Sequence, residues 1–270
     1  MKIERITGVL GAIVTGVHLG DATDGQIEEV RQALARHHVV VLRGQDLSEE
    51  EQLAAAARFG ELFHGDTSRE AMSRIENSEQ KLPATDKWHA DSSFLENPPT
   101  FGFLRAEKVP PHGGDTMWVS LHAAYETLSP GLQRLAESLS ARHVVTEAYV
   151  QAAKEYFGNA PDADFQRSGH DHPLVIENPR NGKKALYLSP RYLDRLIGVT
   201  EEESAALLRL FDSQLDRPAH QLRWKWTPDD LVIWDERSVA HRGLSDHFYE
   251  GPQYRLMKQC LAGGPAPAAA

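Results

Sequence analysis

The sequence predicts a mixed α+β protein, an antiparallel β core flanked by helices. Short runs rich in Val, Ile, Trp and Tyr recur from Val39 to Leu261, mostly too close together for a helix to intervene each time. Helical patterns gather near the start and in a few interior stretches, which disfavours a regular βαβ alternation. The 270 residues show no internal repeat and no Gly/Ser- or Pro-rich linker. A single domain over residues 1–263 is therefore expected, with the Gly/Pro/Ala run 264–270 as a disordered tail.

Taken in order, residues 24–37 read as a helix, with Ile27, Val30, Ala33 and Leu34 on one face. Residues 38–42 form a Val-rich buried strand closed by Arg43 and Gly44. Ser48 followed by Glu51 has capping-box spacing and starts a second helix. Strands are expected at 100–105 and 115–120, either side of the turn at Pro110, Pro111, Gly113 and Gly114. Helices follow at 121–128 and 131–141, broken at Pro130. Residues 146–172 hold polar turn signals and the isolated aromatics Tyr149, Tyr156, Phe157 and Phe165, and read as a mobile, lid-like excursion. Strands at 173–177 and 185–189 flank an Asn/Gly turn, and Thr200 with Glu203 caps a helix to about Leu215. The last strands fall at 221–226, 231–234 and 255–261.

Lys plus Arg is 29 against 39 Asp plus Glu, a net charge of −10, so no basic patch offers itself to nucleic acid or an anionic membrane surface. No apolar run is long enough to span a bilayer. Residues 1–5 lead into patterned sequence without an apolar leader core, so the expected location is the cytoplasm. One cysteine, Cys260, excludes an intramolecular disulfide and any Cys-based zinc or iron–sulfur site. No Gly-rich phosphate loop or dinucleotide fingerprint is present. The 13 histidines are the unusual entry in the composition.

Two of them stand in an H-x-D pattern. In extended chain, residues i and i+2 share a face, so His89 and Asp91 would project an imidazole and a carboxylate together. A second histidine from another segment would complete a facial set that leaves positions open on an iron(II) ion. His64 and Asp66 share the spacing but lie in polar, Gly-containing sequence that reads as a loop, whereas His89 sits between Trp88 and Phe94. Any one H-x-D is weak evidence, more often a capping or surface pair. Candidates for the third ligand are His241, after the strand at 231–234 runs into a turn; His170 and His172, in a stretch that reads as loop; and His143, placed to cap a helix. Pattern ranks His241 first.

Several separated motifs carry a resemblance. Trp88-His89-Ala90-Asp91, Gly113 to Thr116, Trp234-Asp235 with His241-Arg242, and Tyr254-Arg255-Leu256-Met257 resemble the taurine dioxygenase / 2,4-dichlorophenoxyacetate dioxygenase family, in family order. Ile6 to Ala12, Val40 to Gln45, Arg58 to Leu62, Asn97 to Pro99 and Gly182 to Tyr187 extend it over nearly the whole chain. The resemblance implies a double-stranded β-helix (jelly roll, cupin-like) core flanked by helices. It implies an oxidoreductase using Fe(II), with 2-oxoglutarate and O2 as co-substrates, that hydroxylates an unactivated C–H of a small molecule and releases succinate and CO2. His89, Asp91 and His241 resemble the iron ligands. Arg255 and Thr116 resemble the pair that holds the distal carboxylate of 2-oxoglutarate, a task that suits a planar guanidinium. Relatives that halogenate carry a small residue in place of Asp91, so the intact carboxylate implies hydroxylation, desaturation or cleavage. Relatives are often dimers or tetramers.

The chain also departs from the pattern. Relatives acting on sulfonates, sulfate esters or aryloxy acids carry a second arginine four residues after the first, where Gln259 stands here. Gln donates hydrogen bonds but carries no charge. This argues against taurine, an alkyl sulfate or an aryloxyacetate, and for a substrate that is neutral, zwitterionic, or held by groups in the 146–172 excursion, such as an amino acid or natural-product intermediate. Thr85 replaces an amide-bearing residue before the metal motif. Thr85, Phe94 and Gln259 are candidate substrate contacts. Two rival readings remain: a zinc hydrolase on the same triad, which would leave Arg255 and Thr116 without a task, and a catalytically silent β-fold binding protein.

Overall fold

The computed structural model describes residues 1–64, 71–78, 87–157, 163–249, 251, 253–264 and 266–270, without the side chains of 152 and 155–157. The first part of the chain supplies β1 (Lys2–Arg5), β2 (Ala12–Thr15), α1 (Asp24–His37), β3 (Val39–Leu42), α2 (Glu49–Ala57), β4 (Met72–Asn77) and β5 (Phe101–Lys108). The middle supplies β6 (Thr116–Ser120), α3 (Leu121–Glu126), α4 (Pro130–Glu137), β7 (Ser140–Val144), α5 (Glu147–Phe157), α6 (Ala163–Gln166), β8 (Gly169–Pro173), β9 (Val175–Asn178) and β10 (Lys183–Leu186). The last part supplies β11 (Leu193–Ile197), α7 (Glu201–Leu215), β12 (Gln221–Trp224), β13 (Leu231–Asp235), β14 (Val239–Gly243) and β15 (Arg255–Ala262).

The fold is mixed α and β. Among the described residues the largest sheet has the order β1-β2-β3-β13-β5-β15-β4. Its pairs are antiparallel except β2 with β3. A second sheet, β12-β6-β14, lies over one face. Side-chain alternation shows how the layers meet. In β3, Val40 and Leu42 pack toward α1 and α2, whereas Val39 and Val41 pack toward Trp118, Trp224 and Trp226. In β13, Leu231 and Ile233 face the helices, whereas Val232 and Trp234 face the second sheet. Burial on both faces is why these strands read as unbroken apolar runs rather than alternating ones. A third apolar cluster joins α3, α4 and α7 to β9 and β10, burying Tyr125, Ile176, Leu186 and Phe211.

Elements with strong local signals stand where the pattern puts them, and α1, α2 and α7 each carry a complete capping box. Other segments differ. The helix expected over 131–141 ends at Glu137, and Ser140–Val144 is a strand paired with β8 and β11. His143, expected as a helix cap, and His172, expected in a loop, are therefore buried on adjacent strands. His241 lies within β14 rather than in a turn. The excursion over 146–172 contains α5, α6 and most of β8. Its Tyr149 and Phe165 pack edge-on against Phe94. Of residues 264–270, expected to be disordered, Ala268 to Ala270 run beside β9. Ala269 bridges Ile176 and the Glu177 N–H donates to the Ala268 carbonyl, because β9 has an open edge there. No helix among the described residues is long and apolar enough to cross a membrane.

Candidate metal centre

The site is built at the rim of the smaller sheet. His89 and His241 exchange both backbone hydrogen bonds, at 3.0 and 2.8 Å. Residues directly opposite in an antiparallel pair put their side chains on the same face. The two imidazoles accordingly lie side by side, with ring centroids 4.2 Å apart. Asp91 follows on a turn, and its Oδ1 lies 3.5 Å from His89 Nε2 and 3.7 Å from His241 Nε2. The donor atoms of the three residues all fall within 4.8 Å of one another, close enough to hold one metal ion.

The surroundings prepare these groups as ligands. His89 Nδ1 lies 2.9 Å from the Lys87 carbonyl, which can only accept, so Nδ1 carries the proton and Nε2 keeps its lone pair for the shared space. Burial pushes both imidazoles down to about 3, with His241 adding to the effect on His89 and Arg191 adding to the effect on His241. Both are therefore neutral at physiological pH, the form a metal needs. Burial raises the Asp91 carboxyl above its ordinary value, so a cation in this space would recover the energy lost in desolvating it. Two imidazole nitrogens and one carboxylate, converging from one side, suit iron(II) with coordination positions left open.

Arg255 and Thr116 also come together, on strands of different sheets. Arg255 opens β15 and Thr116 opens β6, and the guanidinium Nη2 lies 3.5 Å from Thr116 Oγ1. Both residues are buried. Trp226 Nε1 donates to the same hydroxyl at 3.0 Å. Thr116 pairs with Gly243, two residues along β14 from His241, which ties this pair to the triad. Gly114 makes room for it. A Cβ there would lie 3.2 Å from Arg255 Cδ, at a backbone φ of +69° that disfavours any side chain.

The three candidate substrate contacts fare differently. Thr85 lies outside the described residues. Phe94 is 1% exposed and forms a small cluster with Tyr149, Phe165 and Tyr192, so it anchors the α5–α6 segment instead of presenting a surface. Gln259 does face the site, but its amide Nε2 donates to Asp91 Oδ2 at 2.8 Å. Lys258 points to the opposite side of β15, where it pairs with Glu49.

Two residues escaped the sequence reading. Glu236 is 1% exposed and accepts the Asp91 N–H at 3.1 Å and the Trp234 indole N–H at 2.7 Å. Burial, and then the Asp91 charge, raise its carboxyl well above the ordinary range. A second acid closing the apolar run Leu231 to Trp234 was the available signal. Arg191 is buried on the turn after β10, donates its N–H to the Trp88 carbonyl at 3.1 Å, and its charge bears on all three triad residues.

Two neutral imidazoles beside a carboxylate make a candidate site for one metal ion, with a buried arginine and threonine nearby. Comparison with known proteins gives the family. The profile described as "Taurine catabolism dioxygenase TauD, TfdA family" matches residues 2–261, and the chain belongs to that family. It is thus an oxidoreductase, a dioxygenase dependent on iron(II), 2-oxoglutarate and O2. An alkylsulfatase of Acinetobacter baylyi is 29% identical, with 98% of this chain and 85% of that protein aligned. A pentalenolactone F synthase of Streptomyces arenae is 30% identical over 99% of this chain and 97% of its own length. Among solved structures, a taurine dioxygenase from Burkholderia xenovorans superposes with a TM-score of 0.85 at 30% identity, covering 99% of this chain and 92% of that one. AAD-2 in complex with Mn(II) and N-oxalylglycine gives 0.81 at 28% identity, covering 98% of each.

Proposed function

We propose that this enzyme hydroxylates an unactivated C–H bond of a small-molecule substrate, coupled to conversion of 2-oxoglutarate to succinate and CO2. The observation that carries the proposal is the convergence of His89, Asp91 and His241 in one buried space, with Arg255 and Thr116 beside it. His89, Asp91 and His241 hold the iron. Arg255 forms a charge-assisted pair with the distal carboxylate of 2-oxoglutarate, and the Thr116 hydroxyl donates to the same carboxylate. When bound, iron would supply the oxidative chemistry that couples O2 to 2-oxoglutarate. The chain's own residues hold the co-substrate at one end, keep both imidazoles neutral, and exclude water behind Trp234 and Phe94.

The facing sheets suit a double-stranded β-helix, and the family match to residue 261 supports one oxygenase domain over 1–263. The substrate is neutral or zwitterionic, because the Gln259 amide donates to Asp91 and no cation takes its place on β15 facing the triad. The zinc hydrolase and silent-scaffold readings gain no support from a chain in a dioxygenase family with Arg255 and Thr116 in place. We place the enzyme in the cytoplasm, without nucleic-acid or membrane partners.

Anaerobic titration with iron(II) and 2-oxoglutarate tests the proposal. The wild type is expected to develop the weak visible charge-transfer band of the chelate. His89→Ala should abolish it. Arg255→Ala should raise the 2-oxoglutarate requirement by about thirtyfold or more, the usual consequence of removing one partner of a buried charge pair. Tight zinc binding with no band in the wild type would overturn the oxygenase reading. Substrates are then screened by succinate release.

A further inference from the structure

We propose that Gln259 and Glu236 are positioning residues that present Asp91 to the metal through a single oxygen. The inference rests on the metal-binding reading above and adds what sets the geometry of its carboxylate.

Asp91 needs such help. It stands on a turn just past the bridged His89, and Ser92 after it adopts a left-handed φ of 49°. No strand ladder fixes its side chain. The two oxygens of the carboxylate have different neighbours. Oδ2 accepts the Gln259 Nε2–H at 2.8 Å. Oδ1 lies 3.5 and 3.7 Å from the two imidazole Nε2 atoms, the atoms that would share a metal with it. With Oδ2 engaged, Oδ1 is the oxygen left for the ion. A carboxylate free to swing could offer both oxygens and fill a further coordination position that a co-substrate needs.

Glu236 holds the backbone of the same residue, and its carboxyl also hydrogen-bonds the Asp91 side chain. One of its oxygens accepts the Asp91 N–H at 3.1 Å and the other accepts the Trp234 indole N–H at 2.7 Å. The first oxygen also lies 3.8 Å from His241 Nδ1, so Glu236 sits behind both a carboxylate ligand and an imidazole ligand. Two N–H groups converge on it, and an amide in this place could accept only one of them. Gln259 comes from β15 and Glu236 from the turn between β13 and β14. The two thus grip Asp91 from different parts of the fold.

The test is manganese(II) binding to the metal-free protein, followed by electron paramagnetic resonance of the free ion, which needs neither turnover nor a known substrate. Gln259→Met keeps the length and removes the donor. Gln259→Glu keeps the shape and repels Asp91. Glu236→Gln removes one acceptor. Outer-sphere changes of this kind typically weaken metal binding by about 10–100-fold. We expect a loss in that range for Gln259→Met and Glu236→Gln, a larger one for Gln259→Glu, and a thermal midpoint of metal-free Gln259→Met within a few degrees of wild type. If Gln259→Met does not fold, Gln259→Asn, whose amide stops one carbon short, carries the same expectation. Wild-type manganese affinity in Gln259→Met would overturn the proposal. A wild type that binds manganese but releases no succinate with any substrate would count against the proposed function alone. A wild type that binds no divalent ion would overturn both.

Discussion

At the scale of single residues, Gly102 shows how closely the site depends on packing. It faces Trp234 across the β5–β13 pair, and the indole lies over the bare backbone so tightly that a Cβ would fall 2.1 Å from Cζ2. The same indole donates to Glu236, which holds Asp91. Gly102→Ala should therefore cost about 1–3 kcal/mol in urea unfolding, the range for an overpacked core, and should also weaken manganese binding. An unfolding midpoint equal to wild type would show that the indole moves freely. The triad itself was legible because motif and chain order point to it. Gln259 was legible as a departure from a pattern, not as a partner of Asp91. That partnership needs β15 in register beside β5, with Gln259 opposite Leu104, a pairing set by residues about 155 positions apart in sequence.

At the scale of elements, α7 is fixed by signals a reader can find unaided. The Thr200 side chain accepts the Glu203 N–H, and Glu203 reaches back to the Thr200 N–H. Thr200→Ala should lower stability by about 1 kcal/mol with unchanged metal affinity, checked by parallel urea and manganese titrations. The strands that escaped notice are those without such signals. Ser140–Val144 and Gly169–Pro173 are short, polar and rich in histidine. They are strands because each finds the other, with Arg142 and Asp171 paired across them, and because His143 reaches Ser93 on the metal turn. Tertiary pairing overrides weak local preference there.

At the scale of the whole molecule, buried histidines outside the candidate ligand triad link stability to pH. Burial, and then the nearby His122, push His38 down to about 3, and burial with His172 does the same to His143. In the unfolded chain these imidazoles titrate near 6.5. Between pH 6.5 and 3 the unfolded state binds protons that the native state refuses, so stability is full above about pH 7 and falls as the pH drops through that window. Each fully buried imidazole should contribute on the order of 1 kcal/mol or more to the difference between pH 7 and pH 5. Urea unfolding of the metal-free protein at the two pH values measures it. His38→Asn should flatten the slope, since Asn suits the left-handed backbone at φ 67° and takes no proton.

The order of the largest sheet bears on how the chain is made as well as how it stands. β15 lies between β5 and β4, and both are synthesised well before it. Until β15 arrives, each of them shows a raw edge, and Phe101, Phe103 and Met72 beside those edges have no cover from Cys260 and Ala262. An incomplete chain is thus exposed to joining its neighbours edge to edge. Arg255 and Gln259 ride on that same late strand, so the nascent protein cannot assemble the proposed site before its sheet is sealed. Slow translation or a break before β15 should yield aggregates rather than a half-active enzyme.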